Sequence, residues 1–222
     1  AIGPKGVQFL AQVLQNDTTP ITKLSLSSNR VEDSGCLYLA ESLRLNHRLT
    51  CLNLQICAIR DVGMSLLVDA LRDHPSMHRL DLSGNWIRRE GMFSLASALP
   101  SLQNLKLLDI WGNPLELKGI QAVATAMEEC PRCTMDVFVA NGDIEEDEQI
   151  QSASTKLQYL VSQNIYLQRQ RKLQGEPDSV WPPLLHSVDK ASVHGHSLLY
   201  FVVRNRPDLF LRKASSSLSP SV

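Results

Sequence analysis

The stretch HRLDLSGNWI, His78 to Ile87, sets Leu80 and Leu82 on one side of a short run and breaks it with Ser83-Gly84-Asn85. A two-residue alternation marks a strand with one buried face. An amide at the end of such a run is costly to bury unless its donors and acceptor find partners. The arrangement recurs: ITKLSLSSNRV begins at Ile21, LTCLNLQICAI at Leu49, MHRLDLSGNWI at Met77 and LKLLDIWGNPL at Leu105, always 28 residues apart. Apolar residues occupy the fourth and sixth places (Leu24 and Leu26, Leu52 and Leu54, Leu80 and Leu82, Leu108 and Ile110). The ninth place is Asn29, Cys57, Asn85 and Asn113.

Further along each frame come Val31, Ile59, Ile87 and Leu115, and then a glycine, Gly35, Gly63, Gly91 and Gly119. Apolar residues follow four and eight places past the glycine, as in Leu39 and Leu43 or Leu67 and Leu71, which is the spacing of one helical face. Each unit therefore reads as strand, bend, helix. One unit cannot bury its own apolar side, so units must stack, strands beside strands and helices beside helices. The chain turns sharply after each strand and leaves backbone groups away from water. A column of asparagines, with Cys57 as a small weak donor in one slot, answers that need. The glycines allow a tight helix entry or close helix packing.

These residues resemble the leucine-rich repeat family. The 28-residue unit, ordered L-x-x-L-x-L-x-x-N/C-x-apolar-x-x-x-G, resembles its ribonuclease-inhibitor-like class. The resemblance implies an α/β solenoid, a right-handed horseshoe with parallel strands on the concave face and helices on the convex face. Full units span 21–48, 49–76, 77–104 and 105–132. Ile2, Gly6, Leu10 and Leu14 read as the back half of an earlier unit, one residue out of step before the Asn16-Asp17-Thr18 loop. From Cys133 to Ile144 another frame begins, with Phe138 and Asn141 in register and Asp136 in place of a leucine. The solenoid is thus expected over 1–144, a helical C-terminal cap over 145–212 and a flexible tail over 213–222. A helix is predicted over about 154–173 from Leu157, Leu160, Val161, Ile165 and Leu167, and Leu198 to Val202 offer bulk for covering the open end. The arrangement NIYLQRQR from Asn164, then Trp181-Pro182 and LLYFVVRNRPDLF, resembles the tails of algal repeat proteins, diatom ones especially.

Composition limits the partners. With 22 basic and 23 acidic side chains, no charge excess draws the whole chain to nucleic acid or to an anionic membrane. No apolar run of membrane-spanning length occurs, and an odd count of 5 cysteines argues against an extracellular disulfide framework. The expected setting is intracellular, cytoplasmic with the nucleus as the alternative; the start at Ala1 leaves room for a removed targeting peptide. Cys130-Pro131-Arg132-Cys133 has no second pair at ligand spacing and reads as two free thiols. His194-Gly195-His196 lacks further ligands, and no phosphate loop or nucleophile elbow is present. No enzyme activity, cofactor or metal is expected.

What remains is a surface. Residues between the core leucines point to the concave face in three stripes: Lys23, Cys51, Arg79, Leu107; Ser25, Asn53, Asp81, Asp109; Ser27, Gln55, Ser83, Trp111. The middle stripe turns acidic beside Trp111, which has no core duty at its position, and Trp86 falls on the rim of the same end. The sequence thus predicts a non-enzymatic module that binds a protein or peptide of basic character across Arg79, Asp81, Leu107, Asp109, Trp111, Trp86, Asn53 and Gln55. The competing reading for Trp111 is burial under the tail. Two other functions compete: a GTPase-activating protein using the loop arginines Arg30, Arg60, Arg88 and Arg89, with the acidic run 143–148 after its array, and a structural subunit held through its helical face.

Overall fold

The computed structural model describes residues 1–16, 20–130, 135–138 and 148–172. In chain order the elements are α1 (Pro4–Gln15), β1 (Lys23–Ser25), α2 (Glu32–Leu43), β2 (Cys51–Asn53), α3 (Asp61–Ala70), β3 (Arg79–Asp81), α4 (Arg89–Ala98), a 3-10 turn at Leu99–Ser101, β4 (Leu107–Asp109), α5 (Leu117–Glu129), β5 (Asp136–Phe138) and α6 (Glu148–Lys172). The strands form one parallel sheet in the order β1-β2-β3-β4-β5. Helices pack in the same succession, α1 on α2 through to α5 on α6.

Register follows the repeat: Leu24 pairs with Leu52, Leu52 with Leu80, and Leu80 with Leu108. Leu52, Leu80, Leu108, Leu54, Leu82 and Ile110 are wholly buried, and the helix residues Leu39, Leu67, Leu95 and Val123 meet them from the other layer. Each such side chain contributes about 1.5–3 kcal/mol through burial, which outweighs the weak sheet propensity of a three-residue strand.

One expectation fails on register. In the fifth frame Leu108 pairs with Val137 and Asp109 with Phe138, a step of 29 residues. The buried Val137 fills the leucine position assigned to Asp136, and Phe138 is not in register with Ile110. Burial of an apolar side chain decides the shift, since a one-residue slip exchanges the two faces of a strand. In α1, Val7, Ala11 and Leu14 are buried and Leu10 packs against the core, and a Cβ on Gly6 would stand 2.8 Å from Ile2 Cγ2 as one on Gly35 would stand 2.7 Å from Val31 Cγ1, a half-unit offset by one residue.

The helix predicted over about 154–173 is α6, which begins earlier, at Glu148. It packs on α5 and β5, burying Leu157, Tyr159, Leu160 and Val161. The buried Asn164 amide donates to the Met127 carbonyl at 3.3 Å, fixing α6 to the end of α5. Asn141, most of the acidic run 143–148, Cys133, His194, His196, Leu198 to Val202 and the expected tail over 213–222 lie outside the described residues.

The glycine of each frame has a definite steric cause. A Cβ on Gly63 would stand 2.6 Å from Asp33 Oδ1, and one on Gly91 would stand 2.8 Å from Asp61 Oδ1. Those carboxylates belong to the preceding unit. Asp33 Oδ1 accepts the N–H groups of Arg60 (2.8 Å) and Gly63 (3.0 Å), and Asp61 Oδ1 those of Arg88 (2.7 Å) and Gly91 (2.8 Å). No side chain of Arg60 or Arg88 caps its own helix. Each helix is instead capped by its neighbour, which ties adjacent units together where the orphan N–H groups and the helix dipole favour an anion.

Candidate functional site

The turn column comes first, because it holds the sheet face in place. Asn85 Nδ2 donates to the carbonyls of Leu82 (2.8 Å) and Ser83 (3.3 Å) in its own turn and of Leu54 (2.9 Å) in the unit before. Its Oδ1 accepts the N–H groups of Cys57 (2.9 Å) and Ile59 (3.1 Å). Asn113 repeats this one unit on, donating to Leu82 and Ile110 carbonyls at 2.9 Å each and accepting from Ile87 N–H at 3.0 Å. Cys57 donates its thiol to the Leu26 carbonyl at 3.1 Å; burial raises the pKa of that thiol and keeps it protonated. At the edge, Asn29 donates to Leu26 and Ser27 carbonyls, and its Oδ1 accepts Ile2 N–H at 2.6 Å, so the segment before α1 takes the place of an earlier unit.

Just before each column residue the backbone turns left-handed: Ser28 (φ 60°), Ile56 (φ 52°), Gly84 (φ 66°) and Gly112 (φ 69°). Two of the four are glycine, for which this conformation is free of Cβ strain. Ile56 is the outlier, a β-branched residue held at positive φ and 56% exposed.

On the sheet face turned away from the helices, strand pairing sets Lys23, Cys51, Arg79 and Leu107 in one row and Ser25, Asn53, Asp81 and Asp109 in the next. Asp81 and Asp109 are therefore direct neighbours, both partly buried. Burial raises the Asp109 pKa first, and the Asp81 charge adds to it; the Trp111 N–H and Arg79 act in the opposite direction. Adjacent carboxylates with repulsion left over favour an incoming cation.

The same residues also hold their own turns, which the sequence reading missed. Asn53 Oδ1 accepts Gln55 N–H at 2.9 Å, Asp81 Oδ1 accepts Ser83 N–H at 3.0 Å and Ser83 Oγ at 2.7 Å, and Asp109 Oδ1 accepts Trp111 N–H at 3.0 Å. The signal was available, since Asn and Asp commonly bond a backbone N–H two residues on. Ser83 is buried by this bond and presents nothing to a partner. Trp111 is 48% exposed beyond the acidic pair, and Gln55 is partly buried.

Trp86, 61% exposed, lies on the loop between β3 and α4 and lines a cleft of about 410 Å³ with Arg60, Asp61 and Arg88. Of the four loop arginines, Arg30 pairs with Glu32 and Arg89 with Glu90, each at 2.9 Å. Among the described residues no cluster of potential metal ligands occurs, and no helix is long and apolar enough to cross a membrane. Cys36, Cys51, Cys57 and Cys130 carry free thiols.

A family model described as Leucine Rich repeat matches residues 19–40, 45–68 and 73–96, each segment overlapping one of the first three frames. Among curated proteins none matches the chain. Among solved structures, the chain is similar to one titled Leiomodin-1 Actin-Binding Site 2, with a TM-score of 0.61 and 18% identity over 74% of this chain and 92% of the other. It is also similar to the tropomodulin C-terminal domain of Caenorhabditis elegans, with a TM-score of 0.59 and 18% identity over 76% of this chain and 99% of the other. The fold is an α/β leucine-rich repeat solenoid of the kind seen in these two proteins.

Proposed function

We propose that this leucine-rich repeat solenoid is a non-enzymatic protein-binding module whose sheet face takes a basic segment of its partner across Asp81, Asp109 and Trp111. The observation that carries this reading is the pairing of Asp81 with Asp109 across β3 and β4, beside an exposed Trp111. Each carboxylate turns one oxygen toward its own loop, and the second lone-pair set is left for a guanidinium or ammonium group. Arg79 and Leu107 in the adjoining row frame the contact, with Asn53 and Gln55 toward its polar edge. A tryptophan in such a position is the type of side chain on which interface energy concentrates, commonly about 2 kcal/mol or more.

The 28-residue unit with a true helix in each frame supports placement in the ribonuclease-inhibitor-like class, and the free thiols support an intracellular setting. The GTPase-activating reading has less support, because Arg30 and Arg89 already serve ion pairs. Since one structural neighbour is titled as an actin-binding site, actin is the first partner to test, by a direct binding titration, followed by affinity purification from the native cell. The combined variant Asp81→Ala, Asp109→Ala, Trp111→Ala is expected to lose whichever partner the parent holds. Retention of that partner by the folded variant would move the site elsewhere.

A further inference from the structure

The sheet face is acidic, yet the rim beside it has the opposite character. Arg60 and Arg88 occupy the same place in successive frames, each in extended backbone just before its helix, with φ of −117° and −116°. Their N–H groups are gripped by Asp33 and Asp61, so both stems rise from fixed points. Among the described residues neither guanidinium has an ion-pair partner, in contrast to Arg30, Arg72 and Arg89. Trp86 lines the cleft with them, its backbone held by the Ile59 carbonyl at 2.8 Å. In the other three frames the position of Trp86 holds Arg30, Ala58 and Pro114, so this cleft is peculiar to one place in the array. The small Ala58 precedes it by one unit.

The helix N-termini beneath are not the attraction, because Asp61 Oδ1 already accepts the Arg88 and Gly91 N–H groups. What the cleft offers is an indole surface with two guanidinium groups and one carboxylate, Asp61, whose Oδ1 is turned to the α4 N-terminus. An apolar or aromatic side chain fits against the indole, and carboxylates on either side of it meet the arginines, each in the planar forked geometry that guanidinium favours.

We propose that the Arg60–Trp86–Arg88 cleft is a second docking site, for an acidic peptide segment of a protein partner in which one apolar or aromatic residue is flanked by Asp or Glu. This rests on the protein-binding reading and deepens it: the partner is gripped by charges of opposite sign on the face and on the rim, which fixes the direction in which it lies. An elongated partner with a basic stretch and an acidic-aromatic stretch satisfies both.

The test follows the indole N–H resonances of Trp86 and Trp111 by NMR, assigned through Trp86→Phe and Trp111→Phe, during titration with the peptide Ac-EEFDD-NH2 to millimolar concentration. The Trp86 resonance is expected to shift saturably and that of Trp111 to stay in place. The variant Arg60→Ala, Arg88→Ala is expected to bind the peptide roughly tenfold more weakly. Its unchanged Trp111 resonance would show that the fold is intact. Ac-KKFKK-NH2 is expected to leave Trp86 unmoved, and Ac-EEADD-NH2 to bind more weakly than the phenylalanine peptide. Absence of a saturable Trp86 shift, or equal shifts with the lysine peptide or in the double arginine variant, would overturn this second site. Capture of a partner through Trp111 would stand apart from that result.

Discussion

Two columns of Asn and Asp side chains run through this molecule, one in the turns and one on the sheet face, and they differ in what each leaves over. In the turns, Asn85 and Asn113 direct both ends of the amide to backbone groups of their own and the preceding unit. On the face, Asp81 and Asp109 make a local Asx bond to a residue two places on and keep a charge and a second oxygen in reserve. A side chain whose hydrogen-bonding capacity is consumed serves the fold. One with capacity left over is available to a partner.

The largest expected effect breaks the turn column. Asn85→Leu strands the Leu54 and Leu82 carbonyls and the Cys57 and Ile59 N–H groups in a dry turn, and a loss of about 3–4 kcal/mol in urea unfolding is expected. Asn29→Leu at the part-exposed edge is expected to cost only about 1 kcal/mol. Equal losses would deny the column its special role. Gly91→Ala comes next, at about 2 kcal/mol, because its Cβ would press on Asp61 Oδ1 and Ile87 Cγ2 and disturb the cap between units.

Ile56→Asn is expected to stabilise by about 1 kcal/mol, read as a higher urea midpoint, since asparagine tolerates the left-handed backbone that isoleucine resists. His74 gives a smaller effect that depends on pH. Its Nδ1 accepts the N–H groups of Ser76 (3.3 Å) and Met77 (3.1 Å), as Asn46 Oδ1 accepts those of Arg48 and Leu49 one unit earlier. Burial lowers the His74 pKa below its ordinary 6.5. The unfolded chain therefore takes up a proton that the folded one refuses, and stability falls as pH drops below about 6.5 until the folded imidazole also titrates. His74→Asn is expected to flatten that slope in unfolding midpoints measured across pH 5–7.

Much of the fold was legible because a fixed 28-residue offset lines up Leu24, Leu52, Leu80 and Leu108 without any knowledge of contacts. The offset fails at β5, where one extra residue puts Val137 and not Asp136 beside Leu108; a strand of three residues carries too few apolar positions to reveal the slip. The caps from Asp33 and Asp61 escaped because the eye reads within a unit and these bonds cross between units, although the two residues share a frame position two places before glycine. Asp81, Asp109 and Trp111 were visible as a stripe, but the Asx bonds that divide their duties were not. The meeting of Trp86 with Arg60 and Arg88 depends on how successive loops stack, which spacing alone does not convey.

The most direct measurement is titration of the captured partner against Asp81→Asn, Asp109→Asn, with the urea midpoint of the same variant beside it. Asparagine keeps the oxygen that accepts Ser83 and Trp111 N–H and removes only the charge, as Asn53 already shows in the neighbouring strand. Stability within about 0.5 kcal/mol of the parent, together with affinity weakened roughly thirtyfold, is the expected result. Unchanged affinity in that well-folded variant would contradict the account.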